Sequence, residues 1–174
     1  MTSFLHSGDE TTYADEILDQ NVLSLSRLRS LIAGDFHLAC LGNDYLLLHE
    51  KGIFVLKQCH QNGIIQGSES LPQWTDMNYL GQGCPFANPL LENRIVIEAL
   101  SRKLKLPVGD FHSCILFDTQ CELRHIPENT DQFSVLRMDQ LEAFFAEFPQ
   151  MPVRYTHTQL SALNDIFLLV SGEG

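Results

Sequence analysis

Two turns, Gly42-Asn43 and Glu50-Lys51-Gly52, cut the apolar stretch from Phe36 to Leu56 into three pieces too short to be helices. Phe36–Leu41, Tyr45–Leu48 and Ile53–Leu56 are rich in strand formers, so the stretch reads as a three-stranded meander. Such a sheet needs apolar layers on its faces, and the chain supplies helical candidates on both sides of it. Before it, Ala14, Ile17, Leu18, Leu25, Leu28 and Ile32 recur at helical spacing after Thr11 and Thr12, with Gly34 as the stop.

After the meander, residues 61–86 are polar and broken by Gly63, Gly67, Pro72, Gly81, Gly83 and Pro85, and only Ile64-Ile65 suggests a short strand. Asn88-Pro89 opens a helix that Pro107 ends, with Leu91, Ile95, Ala99, Leu100 and Leu104 expected on its buried face. Cys114–Phe117 and Ser134–Arg137 read as strands and 140–148 as a phenylalanine-rich helix. Residues 159–170 read as a terminal helix, although 166–170 alone would also suit a strand. This order implies an α/β fold with a central mixed sheet flanked by helices. At 174 residues with 44% hydrophobic content, one domain over 1–174 is expected.

With 22 acidic against 11 basic residues the net charge is −11, which disfavours DNA as a partner and suits a protein partner. Residues 1–8 show no signal-peptide pattern and no apolar run reaches membrane-spanning length, so a cytoplasmic location is expected and no membrane association. Cys40, Cys59, Cys84, Cys114 and Cys121 contain no Cys-x-x-Cys pair and are expected to be buried reduced thiols. The seven histidines lack zinc-site spacing. Arg94, Arg102, Lys103 and Lys105 concentrate positive charge on one helix, as a phosphate-contacting patch or as its solvated face and C-terminal turn.

The run Gly52-Ile53-Phe54-Val55-Leu56, then Gly63-Ile64-Ile65 with Gly67, Trp74, Asn88-Pro89 opening a helix and the strand Cys114–Phe117 resembles the nuclease-related domain family, NERD. The resemblance covers roughly residues 8–140, leaving about 141–174 as a C-terminal extension. It implies a restriction-endonuclease-like core of the PD-(D/E)xK type, with an aspartate opening the second strand and glutamate-x-lysine closing the third. The ungapped register puts the aspartate on Asp44, the glutamate on Lys57 and the lysine on Cys59, so one of three survives. The family's helical acid corresponds to Glu10 or Glu16, and its Asn-Pro-x-x-Gln motif becomes Asn88-Pro89-Leu90-Leu91-Glu92.

Magnesium requires hard oxygen ligands, and in phosphodiester hydrolysis it stabilises the attacking and leaving oxygens. Lys57 places a positive charge where the second acid belongs, a repulsion of about 4 kcal/mol per unit of ion charge at about 4 Å and an effective dielectric of about 20. A thiol at Cys59 cannot replace the ammonium that stabilises phosphate charge. The expectation is a degenerate domain, catalytically inactive or impaired, that uses no cofactor and acts as a binding or assembly module. The enzyme alternative is a metal-dependent nuclease with a rearranged site, in which Asp44 and one of Glu10, Glu50 or Glu92 hold Mg2+ or Mn2+ and Lys57 reaches the phosphate. A third reading is a small acidic protein-binding factor such as a secretion chaperone, which predicts a different chain path around Asp44. Without the resemblance, Asp44 is an ordinary turn residue and Lys57 a strand-end charge.

Overall fold

The computed structural model describes residues 22–172. Within them, helix α1 (Leu25–Leu31) leads into β1 (Phe36–Leu41), β2 (Asp44–His49) and β3 (Gly52–Gln58), the meander expected from the sequence. The β1–β2 turn is the two-residue loop Gly42-Asn43, and Gly42 has the left-handed φ of 63° that such a tight turn favours. Next come β4 (Ile64–Gln66), β5 (Gln73–Met77), β6 (Gly83–Ala87), helix α2 (Pro89–Leu104), β7 (Phe111–Phe117), β8 (Glu122–Leu123) and β9 (Phe133–Arg137). Helices α3 (Leu141–Ala146) and α4 (His157–Ser171) complete the described chain.

The main sheet has the order β1-β2-β3-β7-β9 and is mixed: the first three strands are antiparallel, and β7 runs parallel to both β3 and β9. Parallel strands need a crossover, and α2 supplies the one between β3 and β7. β3 and β7 are nearly continuous apolar runs, as strands covered on both faces must be. One face packs Leu47, Phe54 and Leu56 against Leu28 of α1 and Leu141 and Phe145 of α3. The other packs Leu46, Val55 and Ile53 against Ile97 and Leu100 of α2 and Leu160 and Leu163 of α4.

Several expectations are corrected. Residues 61–86 are not a loop with one short strand: β4, β5 and β6 form a second sheet of order β6-β5-β4-β8. Its cohesion comes from packing the polar pattern conceals. Trp74, 1% exposed, stacks on Phe117, and Gly67 lies so close to the indole that any Cβ there would overlap it. The buried row of α2 is Leu90, Asn93, Ile97, Leu100 and Leu104, whereas Ile95 is 69% exposed. A polar Asn93 inside the apolar row is what displaced the expected face.

The first helix, expected from about Ala14 to Ile32, begins at Leu25 within the described residues. Ser24 caps it there, its hydroxyl accepting from Arg27 N–H, and Ile32 rather than Gly34 is its C-cap. Thr11, Thr12, Ala14, Ile17 and Leu18 lie outside the described residues. Helix α3 is shorter than expected, flanked by 3-10 turns at Met138–Gln140 and Phe148–Gln150, and residues 166–170 are helical. Of the cysteines, Cys59, Cys114 and Cys121 are buried but Cys40 and Cys84 are exposed; all five are free thiols.

His49, fully buried at the end of β2, is held as a neutral imidazole. Its Nε2–H donates to the Ala33 carbonyl at 2.7 Å, and Nδ1 accepts from the Lys51 N–H at 3.0 Å. Burial lowers its pKa below 6.5, against the raising effects of the Ala33 carbonyl and nearby acids; burial likewise lowers that of His112. A depressed folded pKa means stability present above the unfolded value and lost as pH falls from about 6.5 through the folded one. Unfolding free energies from urea titrations between about pH 7.5 and about pH 5 should therefore fall with pH, by up to about 1.4 kcal/mol per group and pH unit. An unfolding free energy unchanged over that range would contradict the neutral state of the buried His49 ring and the half-buried His112 ring.

Candidate functional site

Tyr45 pairs with Leu56 across the β2–β3 ladder, which sets Asp44 opposite Lys57 at the open end of the hairpin. Lys57 Nζ lies 3.5 Å from Asp44 Oδ2 and 3.2 Å from Glu92 Oε2, so one ammonium bridges two carboxylates. Glu92 reaches it because α2 starts beside the C-terminal end of β3. Its first turn is fixed by Asn88, whose Oδ1 accepts from Leu90 N–H while Pro89 takes the position that has no N–H to satisfy.

The Asn-Pro element thus has a structural task. Asn88 Nδ2 donates to the Ser68, Glu69 and Leu71 carbonyls at 3.2, 3.0 and 2.8 Å, tying the β4–β5 connection to the helix start. Trp74 Nε1–H donates to the same Ser68 carbonyl at 2.8 Å. One turn further, Asn93 Nδ2 donates to the Val55 carbonyl at 3.1 Å and to Ser113 Oγ at 3.0 Å, pinning α2 to both β3 and β7. Asn93 Oδ1 is buried with no partner among the described residues. The orientation of Glu92 therefore rests on two buried asparagines: Asn88, expected from the sequence to open the helix, and Asn93, whose bonds to β3 and β7 the sequence did not signal.

Electrostatics favour the charged triad. Burial alone would lower the Lys57 pKa, but the Asp44 charge and the hydrogen bond and charge of Glu92 outweigh it and hold the ammonium above its ordinary 10.5. Lys57 and Asp44 side chains are only 21% and 20% exposed. Gross attraction is roughly 4 kcal/mol per pair at an effective dielectric of about 20. Glu92, at 47% exposure, is screened more and contributes less. Lys57, Glu92 and Phe86 border a recess of about 200 Å3 with Cys59, His60 and Gln61.

Cys59 follows β3, its N–H donating to the Leu116 carbonyl at 2.8 Å. Its side chain is 6% exposed in an apolar cluster with Leu90, Ile115 and Phe117, and burial pushes the thiol up to about 12. The thiol is therefore protonated and a poor nucleophile at neutral pH. Gln58 lies on the opposite face, where its Oε1 accepts from Leu23 N–H, as strand alternation requires.

Other proposed residues are elsewhere or outside view. Glu10 and Glu16 lie outside the described residues. Glu50 sits in the β2–β3 turn, at the far end of the hairpin from Asp44, and so is not part of this constellation. Arg94, Arg102, Lys103 and Lys105 are all exposed. Arg102, Lys103 and Lys105 lie at the other end of α2, about 15–20 Å along the axis from Glu92 at about 1.5 Å per residue. Among the described residues, no group of three or more His, Cys, Asp or Glu side chains could hold a metal ion. The donor set at Asp44 does not fit a divalent cation while Lys57 stands between its two carboxylates.

The nuclease-related domain model matches residues 15–118, more than half of the chain. The chain belongs to the nuclease-related domain family. The mixed sheet and its flanking helices are consistent with the restriction-endonuclease-like fold of that family. No curated protein and no solved structure matches the chain. Asp44 and Lys57 adjoin on neighbouring strands of the central sheet, the chain path that the chaperone reading did not predict. No described helix is long and apolar enough to cross a membrane.

Asn88→Ala removes a helix cap and three side-chain bonds to the β4–β5 connection. The expected loss is about 2–3 kcal/mol of unfolding free energy in urea. Asn88→Asp keeps the cap acceptor but turns a buried carboxylate oxygen towards the same three carbonyls, so it should not recover that loss.

Proposed function

We propose that this nuclease-related domain is catalytically silent and serves as a binding or assembly module for a protein partner. The supporting observation is the double ion pair: the Lys57 ammonium occupies the space between Asp44 and Glu92. A divalent cation entering there has to displace a charged lysine whose protonated form the two carboxylates favour. The nucleic-acid role is further weakened by the net charge of −11 and by the distance of Arg102, Lys103 and Lys105 from the Asp44 end of the sheet, which leaves Arg94 as the α2 cation near it.

A second reading has its own support. Asp44, Glu92 and Lys57 together retain one aspartate, one glutamate and one lysine, the residue types the family motif implies, with the glutamate moved from strand to helix. On that reading the lysine swings aside, Asp44 and Glu92 hold Mg2+ or Mn2+, and the site hydrolyses DNA.

Incubation of the chain with single- and double-stranded DNA under a Mg2+ or Mn2+ titration separates the two. The silent reading predicts no metal-dependent cleavage above buffer. Metal-dependent cleavage that disappears in Asp44→Ala would overturn it in favour of the rearranged nuclease. A constructive version combines Lys57→Glu with Cys59→Lys, restoring the acid-x-lysine order in the present register. It should bind Mn2+ at least about tenfold more tightly than the parent, a gain of about 1.4 kcal/mol. Unchanged affinity in a folded variant would mean that the register relating Lys57 and Cys59 to the family motif, the helical acid or the pocket geometry is wrong.

A further inference from the structure

Among the described residues, the outer strand β1 has an open hydrogen-bonding edge. Leu41 pairs with Asp44 across the two-residue turn, and Glu50 N–H donates to the Asp35 carbonyl at 3.0 Å. By antiparallel alternation Asp35, His37, Ala39 and Leu41 bond to β2, and the N–H and C=O groups of Phe36, Leu38 and Cys40 point away from the sheet. None of these outward groups has a backbone partner among the described residues. The strand carries no Asp, Glu, Lys, Arg or Pro and keeps unbroken register over six residues, so it lacks the devices that usually blunt a sheet edge.

The edge faces a groove of about 550 Å3, with α1 contributing Leu25 and Arg29 and α4 contributing Phe167 and Leu168. His37 also lines it, with a buried Nε2 that has no partner among the described residues. Along the same stretch of α4, Leu168 and Leu169 are 56% and 74% exposed. An isolated peptide strand would fill the groove and leave Leu169 in water.

We infer that the groove is occupied by β1 of a second copy of this chain, joining two main sheets into one. A two-fold axis perpendicular to the sheet at Leu38 pairs Leu38 with Leu38 and Phe36 with Cys40 of the other copy, which uses every outward group. The same operation keeps each helix on its own face of the sheet. Helix α4 packs over both β1 and β2. With strands about 4.8 Å apart, the two copies of α4 would lie about 10 Å apart, the normal spacing of packed helices. Their exposed leucines then cover one another. Helix α1 packs Leu28 inward towards Leu47, Phe54 and Leu56 and turns Leu25 and Arg29 to the groove, where they would meet the second copy. The strand at the seam is uncharged, while net charges of −11 on each copy repel over longer range, so association should strengthen with salt. This inference depends on the sheet edge and not on the reading of the Lys57 site.

Sedimentation velocity on the full chain between about 1 and about 100 µM in about 0.15 M salt provides the test. The expected result is a reversible monomer–dimer equilibrium. Cys40→Lys at the edge and Leu169→Glu on α4, both at exposed positions, should each weaken it at least about tenfold. Under mild oxidation Leu38→Cys should crosslink the dimer. Wild-type Cys40 should not, because it stands four positions, about 13 Å, from its own copy in this register. A monomer at every concentration, or a dimer indifferent to both Cys40→Lys and Leu169→Glu, would overturn the inference. So would hydrogen-exchange protection of the Phe36, Leu38 and Cys40 amides at concentrations where the chain is monomeric, since the chain itself would then cover the edge.

Discussion

Everything that positions the candidate site depends on β3 being held from three directions. β2 pairs with it antiparallel and β7 parallel, and Asn93 of α2 bonds its Val55 carbonyl from the layer above. A strand bonded on both edges and covered on both faces cannot slip by one residue without turning every apolar side chain to the wrong layer. That rigidity fixes where Lys57 emerges. It also fixes its neighbours: Asp44 comes from the strand on one side, and Glu92 from the helix whose first turns are tied down by Asn88 and Asn93.

The charges at this end of the sheet form a closed set. In the register proposed for the family motif, Lys57 takes the place of an acid and Glu92 that of a helical glutamine. Without Lys57, Asp44 would be left as a largely buried carboxylate with no cation beside it, a costly arrangement. Together the charges satisfy one another, with Lys57 supplying the positive charge that the acids would otherwise draw from solution. Cys59 completes the change: its buried, unreactive thiol belongs to the apolar cluster around Phe117 and Ile115. The recess beside Lys57 and Glu92 is therefore bordered by an internally neutralised lysine.

Much of this was legible in the sequence where local signals and tertiary demands agree. The Gly42-Asn43 turn and the apolar runs on either side fixed the meander and its register, and hence the apposition of Asp44 and Lys57. Asn88-Pro89 marked the start of α2 for the reason the hydrogen bonds display. The second sheet was hidden because β5 and β6 are polar or exposed along much of their length, and Pro85 argues against a strand. Its order comes from Trp74 packing beside Gly67 and from the Asn88 bonds to 68–71, contacts between positions that no periodicity links. Asn93 misled the choice of buried face on α2, since a buried asparagine looks like a solvent-facing one until its partners are seen. The bridging role of Glu92 had a single hint, a charge in place of an amide, and its geometry exists only once α2 is docked on β3.

The central claim is that Lys57 itself occupies the cation position between Asp44 and Glu92. The most direct measurement is calorimetric titration of Mn2+ into the parent chain and into Lys57→Gln, with Lys57→Gln/Asp44→Asn as the control. Negligible binding to the parent is expected, with a Mn2+ site appearing in Lys57→Gln and lost again in the double variant. Binding by the parent that Asp44→Asn abolishes, or no gain in a folded Lys57→Gln, would contradict that claim.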